Sequence, residues 1–371
     1  MAEPLSVSIV ADPGFTTTVT ERALHLGRDA EAVADGGERR VPGVRSADPA
    51  LADYDFRLSR RTVPLHENGA LMLSRVRSWA RENIGGDVLV VITEVPRRRG
   101  RRPKVWEAFP EDRVIVVSLP ALGAIRLVRR LRDTVLEALA ALEEDSPDRV
   151  ARRGEDLEHG SARSVADESP AEGALVAFSR RRPARLLLVA GMVRSNRPFH
   201  SFARLSGCLA AATATAGFGV FYSSVWQMAQ ALSPWRLGLV SLVVVFAMVL
   251  WLVVRNGFWD RGGLLGGRVE AAMYNASTVV TLLLGVVTLY LTLYLGILLA
   301  SFAVIEIEFL SQTIGEEAGS GAYFRIAWLS ASLGTFAGGL GSNFDSGTDI
   351  GRLTHGRRLA ARVLSDDTDE W

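Results

Sequence analysis

Cysteine and lysine are almost missing from this chain. Cys208 is the one cysteine among 371 residues, so no intrachain disulfide can form and the fold needs no oxidising compartment. Lys104 is the one lysine against forty-one arginines. That leaves no GxxxxGK[ST] phosphate loop and no Y-x-x-x-K pair, since Gly100 stands four residues before Lys104. The five histidines (His25, His66, His159, His200, His355) are scattered, with no i,i+4 pair and no HExxH. Without a second cysteine to help them, no metal set is expected. GxGxxG after a strand and the GxSxG elbow are absent too, so no cofactor is expected and the chain leans away from enzymes. The first residues, MAEPLSVSIV, carry no positive n-region or apolar core of a signal peptide.

Charge is present but segregated. Hydrophobic residues make up 48% and charged ones 22%, with a net charge of +1 and a mean hydropathy of +0.17. After residue 204 the pattern turns apolar. Four stretches, 206–226, 237–254, 276–305 and 322–341, are long enough or nearly so to cross a hydrocarbon layer of about 30 Å as helices. The last is interrupted by Arg325 alone, near its outer end, where the side chain is expected to reach the headgroups. Trp226, Trp235, Trp251, Trp259 and Trp328 flank these stretches as interface anchors. With four spans, fourteen arginines fall on one side (seven in 180–204, three in 255–275, four in 342–363) and two on the other, Arg236 and Arg325. The positive-inside rule then places both termini in the cytoplasm.

No span carries an ionisable group at its middle, which argues against a pump or carrier. Tyr222, Gln227, Tyr290 and Tyr294 either line a polar path or belong to a hydrogen-bonded bundle. Gly207, Ala211, Thr215 and Gly219 recur every four residues on the first span, and Ser330, Gly334 and Gly338 do so on the fourth, continuing to Ser342. Small residues at that spacing let helices approach closely, within one four-helix bundle or, alternatively, between copies of the chain.

Residues 1–142 alternate as an α/β domain. Leu5–Asp12 reads as a strand, Phe15 to about Ala34 as a helix, and 54–65 as an edge strand. Asn68 is placed to cap a helix bearing Leu71, Leu73, Val76 and Trp79. DVLVVITEV (87–95) and RVIVVS (113–118) read as buried strands. A helix over 124–142 would present Ile125, Leu127, Val128, Leu131, Val135, Leu139 and Leu142. A small mixed sheet with packed helices follows. Residues 143–173 are an acidic linker of net charge −6, and 174–204 a basic juxtamembrane segment of +7, with the amphipathic stretch ARLLLVAGMV (184–193) expected to lie along the inner leaflet. The transmembrane domain takes 205–341 and a cytoplasmic tail 342–371.

Two groups of residues are candidates for function. Asp12, Thr93, Glu94 and Ser118 end predicted strands, and parallel strands would gather them at one sheet edge. Strand ends are also polar simply because chains turn there. Arg97, Arg98, Arg99, Arg101, Arg102 and Lys104 form a basic turn suited to phosphates, with Arg180, Arg181 and Arg182 further along. Anionic lipid is the nearest source; nucleic acid is disfavoured because no aromatics interleave with the charges.

VLVVITEVP, VIVVSLPAL and the helix after Gly123 follow the order of elements in archaemetzincin-type metallopeptidases, which the N-terminal 140 or so residues resemble as a scaffold. Where that family carries HExxH this chain reads RDTVLEALAAL, so no peptidase activity is implied. VITEVP, VVSLPALGA, LVAGMVRSNRP and YNASTVVTLLLGV resemble an uncharacterised actinobacterial family of membrane proteins, over about residues 87–345. That resemblance implies membrane localisation and architecture only. The leading expectation is therefore an inner-membrane protein with a cytoplasmic α/β domain that binds lipid or a cytoplasmic protein. A membrane-tethered enzyme using the strand ends, and a small oligomeric channel or carrier, are the alternatives.

Overall fold

The computed structural model describes residues 4–26, 51–65, 71–83, 85–99, 102–144, 174–179, 183–196, 206–259 and 268–341. Asn68, Arg101, Arg180, Arg181, Arg182, most of the acidic linker and the C-terminal tail lie outside them. The described chain forms two compact units, one up to Ser195 and the other from Asn196 onward.

The first unit is built on a mixed seven-stranded sheet. Its elements in order are β1 (Leu5–Ala11), α1 (Phe15–Ala23), β2 (Tyr54–Arg60), α2 (Leu73–Asn83), β3 (Val88–Thr93), β4 (Arg98–Arg99), β5 (Arg102–Phe109), β6 (Val114–Ser118), α3 (Leu127–Glu144), β7 (Leu175–Phe178) and α4 (Ala184–Ser195). The strand order is β2-β1-β3-β6-β5-β4, with β7 also on β5. Strands β2, β1, β3 and β6 run parallel; β5 reverses against β6, and β4 and β7 reverse against β5.

The apolar runs of β3 and β6 are buried throughout because both faces of the sheet are covered. Val7, Ile9, Val90, Ile92, Ile115 and Val117 meet Val19 and Ala23 of α1 and Leu131, Val135 and Leu139 of α3 on one face. The intervening residues Val10, Leu89, Val91, Val114 and Val116 meet Val76 and Ala80 of α2 on the other. Side chains alternate across a strand, so one uninterrupted run feeds both layers. Each fully buried aliphatic contributes about 1.5–3 kcal/mol.

Three expectations change here. The helix expected from residue 124 starts at Leu127, because the chain leaving β6 first makes a buried 3₁₀ turn, Leu119–Leu122, and reverses at Gly123 with φ 80°. Ile125 is thereby left 70% exposed and Val128 37% exposed, although periodicity assigned both to the core. Second, the α/β unit extends past residue 142: β7 completes the sheet from within the segment read as juxtamembrane. Four residues are too few for a strand period to show. Third, α4 packs into this unit, burying Leu188, Met192 and Val193. Its Gly191 lies so near the 3₁₀ turn that a Cβ there would overlap the Pro120 carbonyl. An apolar helix with basic flanks reads the same whether its partner is a leaflet or a protein surface.

The second unit is helical: α5 (Ser206–Phe221), α6 (Ser223–Ala231), α7 (Pro234–Arg255), α8 (Arg268–Val304), α9 (Ile307–Ile314) and α10 (Ser320–Gly341). Among the described residues two helices are long and apolar enough to cross a membrane, α7 and the Ala271–Val304 part of α8, or three if the bent pair α5–α6 counts as one. The expected first span is thus not straight, since α5 and α6 meet at 85° beside Tyr222. Helix α8 begins earlier than the expected 276 and its 37 residues span about 55 Å. The fourth stretch forms a helix, but its glycines, serines and Arg325 keep it below the hydropathy of a span. Those residues serve packing instead: thirteen of its 22 are buried.

The seam between α5 and α10 shows how. A Cβ on Gly334 would come within 2.6 Å of the Ala212 carbonyl oxygen, and one on Gly341 within 2.5 Å of Ala211 Cβ. Gly338 faces Cys208 and Ala212, and Gly219 faces Ser330. Ser330, Gly334 and Gly338 are the α10 side as expected. On α5 the fully buried stripe is Cys208, Ala212, Ala216 and Val220, while Gly207 and Ala211 lie against Gly341 and Gly219 against Ser330; Thr215 is only half-buried. Both stripes obey the i,i+4 spacing, and α10 lies against members of each. The seam belongs to one chain.

Candidate functional site

The sheet order reverses direction between β1 and β3: α1 leads from β1 outward to β2, and α2 returns past β1 to β3. Such a point at the carboxyl ends of parallel strands is where α/β sheets commonly bind ligands. The structure brings Asp12, Thr93, Glu94 and Ser118 to this edge, because β1, β3 and β6 are parallel and in register there.

Their polar atoms are occupied by the fold. Asp12 is fully buried; its Oδ1 accepts from the Val63 amide at 3.1 Å, and Oδ2 accepts from Thr93 Oγ1 and the Glu94 amide, both at 2.8 Å. The Asp12 carbonyl accepts in turn from Thr17, through its amide at 3.2 Å and its hydroxyl at 2.8 Å. The Asp12 carboxylate therefore ties the end of β1 to the end of β3 and the chain after β2, and its backbone carbonyl holds the first turn of α1. A buried charge must be met by donors in this way or it destabilises the fold. Ser118 Oγ donates to the Val95 carbonyl at 2.8 Å and accepts from the Arg97 amide at 3.4 Å, fixing the start of the basic turn. Glu94 is buried at 6% exposure and has a partner of its own.

The basic turn is partly neutralised. Glu107 on β5, itself buried, has Arg97 Nη2 at 2.5 Å from one carboxylate oxygen and Lys104 Nζ at 3.0 Å from the other. Arg98 and Arg99 form β4 against Pro103 and Arg102, and both are engaged in further contacts. Arg102 is exposed. A sequence run of six cations thus overstates the charge offered to a ligand, since the one acid three residues beyond Lys104 folds back onto the run.

Several polar groups in the helical unit are likewise paired within it. Tyr290 OH and Ser241 Oγ lie 2.9 Å apart, Ser332 Oγ is 3.1 Å from Ser241, and the Trp328 indole donates to Ser241 at 2.7 Å. This knot joins α7, α8 and α10. Gln227 donates to the Thr313 carbonyl at 3.1 Å. Trp226, expected as an interface anchor, is buried and donates to the Gly219 carbonyl at 2.9 Å. Arg325 does not reach outward for headgroups: its Nη1 donates to the Gln230 carbonyl at 3.2 Å and lies 3.5 Å from that of Leu232, at the C-terminus of α6. Orphan carbonyls and the negative end of the helix dipole both favour a cation there.

Comparison with known proteins adds no identity. No family model matches the chain, nor does any curated protein or solved structure. Function is left to the residues themselves.

Two concavities among the described residues do not open onto Asp12. One of about 220 Å³ lies at the opposite end of the strands, beside Gly85, Gly86 and the Arg77–Asp112 ion pair. The other, about 700 Å³, lies between the end of α1 and the start of α3, lined by Arg22, His25, Arg126, Arg129 and Arg132 with Leu127 and Val128. Sequence reasoning missed this second cluster. Its only signal was arginine at 126, 129 and 132 on one helix start; Arg22 and His25 join through tertiary packing. Among the described residues no three His, Cys, Asp or Glu side chains gather as a metal site would require. The strand-end group clamps backbone, while the α1–α3 cluster gathers four arginines and a histidine around one concavity.

Proposed function

We propose that this chain is an integral inner-membrane protein of four spans that holds a cytoplasmic α/β domain at the membrane, where the domain meets anionic lipid and a cytoplasmic partner. The observation that carries the reading is the apolar surface of α7 and α8. Their most apolar windows have mean hydropathies of 2.9 and 2.3, yet only 28% and 33% of those windows is buried within the protein. Leu239, Leu242, Val243, Phe246 and Leu250 on α7 and Leu291, Leu295 and Leu299 on α8 stand exposed. Contiguous apolar surface on this scale calls for a lipid covering. Helices α5 and α10 complete the four spans: α10 is wrapped by its neighbours and needs little apolar surface of its own. The arginine distribution supports cytoplasmic termini.

A non-enzymatic role for the α/β domain is supported by Asp12, whose carboxylate oxygens are spent on Val63, Thr93 and Glu94 rather than turned to a substrate. The test is extraction of membranes from expressing cells with alkaline carbonate. The chain is expected to stay with the bilayer pellet; release into the supernatant contradicts the reading. Purification of the full chain with its membrane neighbours after brief crosslinking then identifies the partner.

A further inference from the structure

We propose that the α/β unit docks on an anionic bilayer surface through the Ile125–Arg126 loop and the arginine rim beside it, a surface distinct from the basic turn. The inference rests on the membrane location proposed above and assigns the contact to particular residues.

Lone exposed aliphatics are ordinary on protein surfaces, so Ile125 alone would mean little. Its surroundings give it meaning. Ile125 is 70% exposed and Val128 follows it in the first turn of α3. Val128 lines a concavity of about 700 Å³ together with Arg22, His25, Arg126, Arg129 and Arg132, and Ile125 directly precedes Arg126 in the chain. Asp133 pairs with this rim, 3.8 Å from Arg129 and 3.3 Å from Arg132, and Arg132 has a further contact. Among the described residues Arg22 and Arg126 have no ion-pair partner. An exposed aliphatic at the edge of an arginine cluster fits the boundary between acyl chains and phosphates, where the aliphatic enters and the arginines bind headgroup oxygens.

The loop is held rather than loose. Arg130 Nη1 donates to the Leu122 carbonyl at 2.6 Å, and Gly123 turns the chain with φ 80° directly above that guanidinium. Gly191 of α4 seats the preceding Pro120. Arg126 is fixed with φ 53°, a left-handed conformation that is costly for a residue with a Cβ and is kept only where the surroundings impose it. The result is a preset outward aliphatic. Arg22, Arg126 and Arg129 are exposed, so a single small anion would be held weakly against screening. A surface of many headgroups engages several arginines together, which favours the bilayer as occupant.

The test uses the full chain in nanodiscs, with Cys208→Ala removing the native thiol and Ile125→Cys carrying a polarity-sensitive fluorophore. Discs of phosphatidylcholine are compared with discs containing about 30% phosphatidylglycerol. The label is expected to shift to the blue and to be quenched by spin-labelled lipid in the anionic discs only. Arg22→Ser, Arg126→Ser and Arg129→Ser should each lower the docked fraction about fivefold, and high salt should abolish it. A label at Glu111→Cys, by the start of β6, should not respond. Equal emission in both discs overturns the proposal, as does a shift that survives loss of the three arginines. A shift already present in neutral discs means that protein covers the patch, and one produced there by inorganic phosphate means a small-anion site; either overturns it. Disc incorporation is scored separately. A chain that incorporates but does not dock refutes this inference and leaves the membrane anchor standing, whereas one that fails to incorporate refutes both.

Discussion

The carboxylate clamp of the α/β unit and the glycine seam of the helical unit both hold chain segments together, by opposite means. At the clamp, a charge sits among three segments and is satisfied by donated hydrogen bonds from Val63, Thr93 and Glu94. At the seam, side chains are nearly eliminated, and Gly334 and Gly338 let α10 lie against Ala212 and Cys208. The difference follows from the solvent each unit is proposed to meet. A sheet in water gains stability by burying Val, Ile and Leu, and then has to satisfy the polar chain ends that burial traps. Helices in lipid gain little from apolar burial, so close backbone approach, dispersion and interhelical hydrogen bonds replace it.

The comparison is broken most severely at Asp12. Asp12→Ala leaves three buried donors unpaired and is expected to destabilise the α/β unit by about 3 kcal/mol or more, read as a lowered urea midpoint of the tryptophan signal. Asp12→Asn restores acceptor and shape in part and should lose less; equal losses would show that charge is irrelevant to the clamp. Gly334→Leu comes next, separating α5 from α10 at a cost of about 1–3 kcal/mol, seen as a lower melting temperature in detergent. If it melts like the native chain, the seam is not the organising contact. Arg325→Leu removes the cation at the end of α6 and should cost about 1 kcal/mol by the same assay. Tyr290→Phe deletes one member of the Ser241 knot and is expected to cost about 0.6 kcal/mol.

The smallest effect is confined to alkaline pH. Burial, then the charges of Glu143 and Asp53, raise the Tyr54 hydroxyl above its ordinary value of 10.0. The folded state therefore holds this proton more tightly than the unfolded chain does. Its contribution is constant below pH 10, fades as pH rises through the folded value, and should vanish in Tyr54→Phe, as alkaline unfolding curves of the two proteins would show.

The sheet was largely legible because uninterrupted runs such as VLVVIT and VIVVS demand cover on both faces, and the polar residues ending them had to gather once those strands ran parallel. What the gathered residues do was not legible: only the bonds to Val63, fifty-one residues away, show Asp12 to be a clamp. The seam was legible in kind, and Cys208, Ala212 and Ala216 join Gly207, Ala211 and Gly219 in it, since spacing specifies a stripe but not its width. Arg325 and the basic turn both have partners that the sequence does not show. A side-chain charge read along the chain has no partner, while in space α6 supplies carbonyls to the one and Glu107 a carboxylate to the other. The cluster of Arg22, His25 and Arg126 joins segments a hundred residues apart and left no local trace.

Topology tests the account most directly. Glu82→Cys in a Cys208→Ala background places one thiol on the exposed side of α2. A membrane-impermeant maleimide applied to intact cells should leave it unmodified and should label it fully once the membrane is opened. Labelling of equal extent before and after permeabilisation would put the α/β unit outside the cell and contradict the proposed anchoring.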